Sequence, residues 1–312
     1  MQQTTNSILM VRPTSFRSNE QTAVNNHYQK KVNDTEPEIL RAQALEEFDA
    51  FVLKLSNIGV NVLIYNPEDG RDTPDSHFPN NWISFHQNGA IGLFPMFAIN
   101  RRLERRDAVL DYLENEGFII KHIHDYTSAE KEHLFLEGTG SLLLDRVNRK
   151  AYCALSERAN EELLIEFCED FEFSPIIFVA NQTVSGKRTA IYHTNVMMCL
   201  GERFAVICLS SIDDNQERKQ VIKSLKADRK EIIDISEKQV NSFAGNMLEV
   251  KGDKGESYLI MSESARTSLN LMQLSALEVH TKIVSIPLNT IETCGGGSAR
   301  CMMAEVFLPK AF

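Results

Sequence analysis

The segment LEGTGSLLLDRVNRKAYCALS (136–156) contains a short strand with a polar residue near its start, then a turn and a second strand, and the helix-forming segment ERANEELLIEFCEDF (157–171) follows it. The same layout recurs in FPNNWISFHQNGAIGLFPM (78–96), IYHTNVMMCLGERFAVICLSSI (191–212) and FAGNMLEVKGDKGESYLIMSESA (243–265). The units begin at intervals of roughly 50–58 residues. A fixed period of this size is typical of a repeat architecture.

A fifth unit begins at CGGGSARCMMAEVFLP (294–309), which supplies only a first strand. The N-terminus supplies the missing parts, because NSILMVRP (6–13) is strand-like and PEILRAQALEEFDAFVLKLSNIG (37–59) is a strong amphipathic helix. Chain ends that complete one unit favour a ring over a linear array. We therefore predict a five-bladed α/β propeller of ββαβ repeats, formed by residues 1–312 as a single catalytic domain. The polar residues that open the first strands are expected to converge on its centre.

Charge and hydropathy disfavour several classes of protein. A net charge of −10 argues against a nucleic-acid binder, which normally carries a basic stripe. We interpret the basic pairs at 101–102 and 105–106, in the predicted helix RRLERRDAVLDYLENEG (101–117), as a solvated face. No apolar run reaches the length of about 18 residues that a membrane span needs, and the N-terminus is not typical of a secretory leader. We expect a cytoplasmic protein that binds a small molecule; whether it forms a homodimer is left open.

The cysteines separate into two groups. Four of the six lie in apolar or helical runs and are interpreted as small core residues, whereas Cys294 and Cys301 lie on either side of a run of three glycines. No C-x-x-C pair is present, and no cluster of His, Cys and Asp has zinc spacing. We therefore predict neither a disulfide framework nor a metal, and no organic cofactor is required.

Three residues of catalytic character occupy corresponding positions in different units: Glu137, His193 and Cys301. A thiol ionises near a pKa of about 8.5, so it needs a favourable electrostatic environment to react at neutral pH. The glycines at 295–297 allow the backbone to approach a ligand closely, and the neighbouring Arg300 adds positive potential. A histidine can serve as general acid and then as general base. A carboxylate can orient that histidine or hold the N–H groups of the substrate.

Other assignments rest on position alone. Cys294 is an alternative nucleophile, although Cys301 better matches the start of a strand. Asn246 lies at the start of the fourth unit, at the position that corresponds to the polar residues of the other units, and it is expected to line the channel. Trp82 is assigned to the core, with the wall of the pocket as its second possible location. The candidates for binding a substrate carboxylate are Arg12, Arg188 and Arg300. The segments 178–193 and 69–80 have the composition of mobile loops that close over the site.

Four short motifs, in order, resemble those of the arginine deiminase and amidinotransferase superfamily: NNWISFH (80–86), LEGTGSLLLD (136–145), YHTNVMM (192–198) and GGGSARCMMAEVFLP (295–309). The resemblance covers nearly the whole chain, and the superfamily's five-bladed propeller, or pentein fold, agrees with the repeats. It implies Cys301 as nucleophile, His193 as acid and base, and Glu137 as the carboxylate partner. It also implies that the segment beginning at Asn80 lines the substrate site.

Two departures from the family pattern concern the substrate. Enzymes of this superfamily that act on arginine or agmatine hold the guanidinium cation with two aspartates, and the corresponding positions here are Asn195 and His86. These side chains can donate hydrogen bonds as well as accept them, which suits the carbonyl oxygen of a neutral ureido group. The chain most closely resembles the citrulline-utilisation hydrolase branch, which also carries the label amidinotransferase. The implied reaction converts citrulline to ornithine, ammonia and carbon dioxide.

Two alternatives to a citrulline hydrolase remain open. An arginine deiminase or an amidinotransferase would use the same three residues on a guanidino compound. A ribosome anti-association factor with the same propeller would be a binding module without catalysis, and it would need no reactive thiol. We favour an enzyme because Cys301, His193 and Glu137 occur together.

Overall fold

A computed structural model of the protein describes residues 2–30 and 36–311. In chain order, the strands in these residues are β1 Ser7–Val11, β2 Asn61–Tyr65, β3 Ile83–Phe85, β4 Ala90–Leu93, β5 His122–Asp125, β6 Leu143–Asp145, β7 Lys150–Ala154, β8 Ser174–Phe178, β9 Asn181–Val184, β10 Lys187–Ala190, β11 Met198–Leu200, β12 Phe204–Ile207, β13 Glu231–Asp234, β14 Leu248–Lys251, β15 Ser257–Ser262, β16 Lys282–Ile286 and β17 Ala304–Glu305.

The α-helices of the same residues are α1 Pro37–Asn57, α2 Asp107–Asn115, α3 Gly138–Ser141, α4 Glu161–Asp170, α5 Thr194–Met197, α6 Asn215–Ala227, α7 Glu237–Val240, α8 Glu263–Ser268 and α9 Leu271–Glu278. Short 3-10 helices span Pro79–Asn81, Ile99–Glu104, Thr127–Glu132, Leu209–Ser211 and Ala299–Met302, and a π-helix spans Ile291–Gly295. No helix among these residues is long and apolar enough to cross a membrane.

One sheet topology repeats along the described chain. In each three-stranded sheet the first strand is antiparallel to the second, and the second is parallel to the third; the sheets are β3-β4-β5, β6-β7-β8, β11-β12-β13, β14-β15-β16 and β17-β1-β2. The last of these joins the two ends of the chain, because β17 pairs with β1. The predicted α/β fold and the pairing of the chain ends are therefore confirmed. Closure of the five sheets into a ring stays a prediction.

Helix α1 supplies the crossover between β1 and β2. Pro37 occupies its first turn, where a missing N–H costs no hydrogen bond. Its buried face consists of Leu40, Ala44, Phe48, Phe51 and Leu55, and their spacing of three or four residues places them on one side of the helix. This face packs into the same core as the buried side chains of β1, so the helix covers the sheet that the two chain ends build.

The helix predicted over residues 101–117 is interrupted. The structure has a 3-10 helix at Ile99–Glu104, an extended connection through residues 105 and 106, and α2 from Asp107. The connection turns basic side chains inward: Arg101 is 2% exposed and Arg106 is 7% exposed. The interpretation of these arginines as a solvated face is therefore wrong. Arg106 pairs with Asp69 at 2.8 Å, and Arg101 reaches the candidate site described below.

The only tryptophan lies in the core. Trp82 is 1% exposed and packs in one cluster with Phe85, Ile91 and Leu113. The core role that the sequence favoured for Trp82 is confirmed.

The packing of α1 makes a stability prediction. Phe48→Ala leaves a cavity where a fully buried ring now packs, and we expect it to lower the free energy of unfolding by about 3–5 kcal/mol. Leu53→Ala on the same helix is the matched control, because Leu53 is 62% exposed, and we expect a change within about 0.5 kcal/mol. Chemical denaturation of both variants measures the difference. Equal effects would contradict the packing of α1 on this sheet.

Candidate active site

A single helical turn precedes the first strand in most units. The turn Pro79–Asn81 precedes β3, α3 precedes β6, α5 precedes β11 and Ala299–Met302 precedes β17. Glu137 and His193 are the residues immediately before α3 and α5, and Cys301 lies within the last of these turns. The turn Pro79–Asn81 contacts both α3 and Ala299–Met302, and α3 contacts α5. The residues that the repeat placed in phase are thus brought together.

Two glycines of α3 permit this close approach. A Cβ atom on Gly138, which has φ +45°, would lie 2.4 Å from the carbonyl oxygen of Asn80. A Cβ atom on Gly140 would lie 2.5 Å from Asn81 Nδ2 and 2.9 Å from His193 Nδ1. A side chain at either position would push neighbouring units apart, so glycine is required here for packing between units.

Glu137 and His193 form a buried pair, with His193 Nε2 lying 2.8 Å from Glu137 Oε2. Burial alone would raise the pKa of Glu137, but Arg158, His193 and Arg101 together outweigh burial and lower that pKa. The carboxylate is therefore ionised, and Nε2 donates the hydrogen bond. Burial lowers the pKa of His193 to about 4, although Glu137 acts in the opposite direction. At neutral pH the imidazole is thus uncharged, with Nδ1 as its basic nitrogen.

Two amide groups hold the sulfur of Cys301. Asn246 Nδ2 donates to Sγ at 3.3 Å, and Asn195 Nδ2 donates at 3.6 Å. Asn246 is itself fixed, since its Nδ2 also donates to the backbone oxygen of Asn195 and its Oδ1 accepts from the backbone N–H of Arg300. The predicted positions of Asn195 and Asn246 in the site agree with this geometry.

Cys301 and His193 line one cavity with about 270 Å³ of empty space, including its open mouth. The glycines at 295–297 form part of its wall, and Tyr192 Oη donates to the carbonyl oxygen of Gly296 at 2.9 Å. The nucleophile candidate and the acid–base candidate therefore line a common space. The rival nucleophile Cys294 does not line this space, and burial raises the pKa of its thiol.

Two arginines in the cavity wall were not among the predicted site residues. Arg158 Nη1 lies 3.5 Å from Glu137 Oε2, and Arg101 Nη1 lies 4.0 Å from the same oxygen. Arg101 is also held by Glu104 at 2.9 Å and donates to Asn81 Oδ1 at 2.8 Å. No sequence pattern indicated Arg158, and the basic run around Arg101 was interpreted as a solvated face.

His86 is not brought to this cavity, which corrects its assignment as a substrate ligand. It lies beyond β3, and three extended residues carry the chain about 10 Å away from the turn Pro79–Asn81. There its Nε2 lies 2.9 Å from Ser84 Oγ, and its ring stacks on Phe171 at 4.0 Å. It lines a different cavity.

The Asn80 and Arg300 side chains do not line this cavity either. Asn81 and not Asn80 lines the cavity, and the Asn80 backbone oxygen accepts from Thr139 Oγ1. Arg300 directs its guanidinium to Met303 O at 2.8 Å and to Glu305 at 2.9 Å, so only its backbone supports the site.

The other carboxylate-binding candidates are engaged at the surface. Arg12 pairs with Asp49, and Arg188 pairs with Asp213 and Glu237. Among the described residues that line the cavity, neither of these arginines is found. The predictions for these two arginines are wrong, because partners close to each of them hold the guanidinium away from the centre.

The segments proposed as lids differ in their placement. The segment 69–80 contributes Asp75 and Phe78 to the cavity wall. Asp75 accepts from Asn19 Nδ2 at 2.7 Å and lies 3.9 Å from Arg101, while burial raises its pKa. The segment 178–193 contains the β9–β10 hairpin, and closure of either segment over the site stays a prediction.

The N-terminal residues Thr22 and Asn26 also line the cavity, which no sequence pattern indicated.

Comparison with known proteins assigns this chain to a family. The family model for eukaryotic N,N dimethylarginine dimethylhydrolase matches residues 12–308. The chain belongs to this family. It lies within the arginine deiminase and amidinotransferase superfamily, as its motifs indicated, and it is homologous to hydrolases that act on C–N bonds of guanidino amino acids. A search of curated proteins found no match.

Solved structures share the fold of this dimethylhydrolase family member. The arginine dihydrolase ArgZ of the cyanobacterial ornithine-ammonia cycle has a TM-score of 0.74 at 18% identity, over 98% of this chain and 41% of that chain. This chain therefore spans about two fifths of the length of that enzyme. The substrate-bound N-terminal domain of ArgZ gives a TM-score of 0.73 at 17% identity, over 97% of this chain and 99% of that domain.

A dimethylarginine dimethylaminohydrolase, solved as an adduct with S-methyl-L-thiocitrulline, has a TM-score of 0.64 at 13% identity. The alignment covers 96% of this chain and 98% of that chain. At these identities the likeness to solved structures concerns the fold.

The cysteine environments predict selective labelling. Burial raises the pKa of Cys153, Cys168 and Cys199 to about 12, so these thiols should react slowly with iodoacetamide at neutral pH. We expect one rapidly labelled residue, Cys301, identified by peptide mass spectrometry. Cys301→Ser should abolish fast labelling, and Cys294→Ser should retain it. Fast labelling that persists in Cys301→Ser would contradict the assignment.

The Glu137–His193 pair predicts a pH effect. Glu137 raises the pKa of His193, so Glu137→Gln should lower this pKa below its present value of about 4 and destabilise the imidazolium. We expect kcat to fall roughly 10²–10⁴-fold. The acid limb of kcat/KM, where neutral His193 is lost as pH falls, should move to lower pH. Exposed Glu132→Gln is the control and should leave the profile unchanged. An acid limb near the ordinary histidine value in both proteins would refute this role of His193.

Proposed function

We propose that the protein is a cysteine hydrolase that cleaves a C–N bond of a ureido or guanidino amino acid, with citrulline as the substrate. The observation that carries this proposal is the cavity shared by Cys301 and an uncharged His193, with two amide donors on the sulfur. A nucleophile beside a neutral base, with that base oriented by a carboxylate, is the general arrangement for covalent catalysis.

The first half-reaction forms a covalent intermediate. His193 Nδ1 takes the proton of the Cys301 thiol, and the sulfur attacks the ureido carbon. The carbonyl oxygen becomes an oxyanion, to which the amide N–H groups near the sulfur can donate. The bond from this carbon to the side-chain nitrogen then breaks, and that nitrogen takes the proton from His193. Ornithine leaves, and the carbamoyl group remains on sulfur.

The second half-reaction restores the enzyme. His193 takes a proton from water, whose oxygen attacks the carbamoyl carbon. The carbon–sulfur bond breaks, and the thiolate recovers a proton from His193. The released carbamate decays to ammonia and carbon dioxide. Glu137 stays ionised throughout and stabilises each imidazolium that forms.

The charges of the wall suit an amino acid. Arg101 Nη1 and Arg158 Nη1 each carry two N–H groups. One N–H group of Arg101 Nη1 donates to Asn81, and one of Arg158 Nη1 donates to Glu137. The other N–H groups can bind an α-carboxylate, and Asp75, whose Oδ1 has no described partner, can accept from an α-ammonium. The citrulline proposal rests on Asn195, whose Nδ2 lies 3.6 Å from Cys301 Sγ and can donate to a ureido carbonyl oxygen, which a guanidinium lacks. Its Oδ1 has no described partner and can accept from a ureido N–H.

Arginine is the second candidate substrate. The family match names a dimethylarginine hydrolase, and the structural neighbours include an arginine dihydrolase. A guanidinium in this cavity would depend on Glu137 and Asp75 for compensation, although Arg101 and Arg158 already pair with these carboxylates. Amidino transfer would further require that water be excluded from the intermediate.

We also propose that the sheets close into a five-bladed ring within a single catalytic domain. Contacts between successive units support closure: α3 contacts α5, β11 contacts β14, β15 contacts Ala299–Met302, and Ala299–Met302 contacts Pro79–Asn81. The proposed steps use protein side chains and water alone. The cytoplasmic location remains a prediction, and the oligomeric state remains open.

Direct assay tests the reaction. Purified protein incubated separately with citrulline, arginine and N,N-dimethylarginine should release ornithine and ammonia from citrulline. The Cys301→Ala variant should release neither ornithine nor ammonia, whereas the Cys294→Ala variant should retain activity. Citrulline produced from arginine, without turnover of citrulline itself, would establish the deiminase alternative.

Asn195→Asp tests the substrate preference. A carboxylate at this position supplies the anion that a guanidinium needs and loses the amide donor that suits a carbonyl oxygen. We expect the ratio of kcat/KM for arginine to kcat/KM for citrulline to rise at least about 10-fold, which corresponds to about 1.4 kcal/mol. Exposed Asn241→Asp is the matched control. An unchanged ratio would show that Asn195 does not select the ureido group.

A further inference from the structure

A second cavity of about 670 Å³, including its open mouth, lies beyond the far end of β3. His86, Arg146 and Arg149 line it together with the rings of Phe171 and Phe173. It shares no lining residue with the catalytic cavity. The site is therefore separate from the reaction proposed above.

Arg146 is the unusual residue in this wall. It is 5% exposed, and within residues 2–30 and 36–311 its guanidinium has neither a hydrogen-bond acceptor nor a carboxylate within 4.0 Å. Its contact is with the ring of Phe307, 3.9 Å from the guanidinium carbon. Burial lowers the pKa of Arg146 to about 10, and the positive charges of Arg300 and Arg149 add to this effect, while the negative charge of Glu305 opposes it from more than 4.0 Å away. A buried cation without a partner is costly, so such residues normally meet an anion.

The acids of the same cavity are engaged elsewhere. Asp170 accepts from Tyr126 Oη at 2.7 Å and lies 3.3 Å from His124 Nδ1. The Glu172 side chain is 87% exposed and lies 3.6 Å from Arg149. Neither carboxylate compensates Arg146, so the buried end of the cavity is positive while its acids lie toward the mouth.

The aromatic groups define the rest of the site. His86 stacks on Phe171 at 4.0 Å, and Arg149 lies over Phe173 at 4.3 Å from the ring centroid. Burial lowers the pKa of His86 well below its ordinary value, so the imidazole is neutral and can exchange hydrogen bonds with a ligand without adding charge. The cavity combines an apolar wall with a buried guanidinium, as small-molecule sites commonly do.

We propose that this cavity binds a small organic anion, whose carboxylate or phosphate group pairs with Arg146 and whose apolar part lies against Phe171 and Phe173. A guanidinium presents parallel N–H groups that fit both oxyanions. The ligand thus supplies the close anionic partner that residues 2–30 and 36–311 do not provide.

Thermal unfolding with two probe anions tests the site. Inorganic phosphate and citrate are added to wild type, Arg146→Met and exposed Arg203→Met, with sodium chloride at matched ionic strength as the reference. At about 100 times Kd we expect one or both anions to raise the Tm of wild type and Arg203→Met by roughly 5–10 °C. Arg146→Met should lose this shift. A response to citrate alone identifies a carboxylate ligand, and a response to phosphate alone identifies a phosphate-bearing ligand.

The unliganded variant separates binding from a structural role. Without added anion, Arg146→Met should have a Tm at least equal to that of wild type, because an unpaired buried charge is replaced by an apolar side chain of similar length. A lower Tm, an anion shift retained in Arg146→Met, or no shift in wild type would overturn the proposal. If Arg146→Met does not fold, Arg146→Lys serves instead: it keeps the charge, loses the paired N–H geometry, and should weaken anion binding several-fold. None of these readouts depends on catalysis.

Discussion

The site depends on one buried negative charge, the carboxylate of Glu137. The residue is fully buried, and an isolated carboxylate in such surroundings would take up a proton. Arg158, Arg101 and His193 surround it and keep it ionised. The hydrogen bond to Glu137 also fixes the orientation of His193, while Arg101, held mainly by Glu104, adds its charge at 4.0 Å. Geometry, protonation state and the positive wall of the cavity therefore have a common origin.

The repeat explains how distant residues meet. Each unit presents a polar group at the turn before its first strand, where the backbone enters the packed interior. Contacts between the turns bring residues 137, 193 and 301 together although the first and last are separated by more than half of the chain. The glycines of α3 are part of the same constraint, since a side chain at 140 would collide with Asn81 and His193. Packing between units and the chemistry of the site thus share residues.

Prediction from the sequence succeeded where a local pattern and a periodic one agreed. The strands of each unit, α1 and the completion of the last unit by the N-terminus follow from hydrophobic spacing, and Trp82 lies in the core as expected. It failed where a residue's direction depends on contacts far away in the chain. His86 follows a motif but lies beyond a strand, and Arg101 sits in a basic run yet is buried beside Glu104. The arginine chosen for its position next to the nucleophile, Arg300, points to Glu305.

The sequence by itself determined the α/β repeat, its period and the three candidate catalytic residues, because these depend on hydrophobic alternation and on residue type at corresponding positions. Only the tertiary structure decided which polar side chains share the cavity with them. Asn81, Asp75, Arg101 and Arg158 lie in its wall, while His86 and Arg146 line a separate cavity. The physical reason is that a buried charge is stable only beside its partners, and those partners come from units that the linear sequence does not place together.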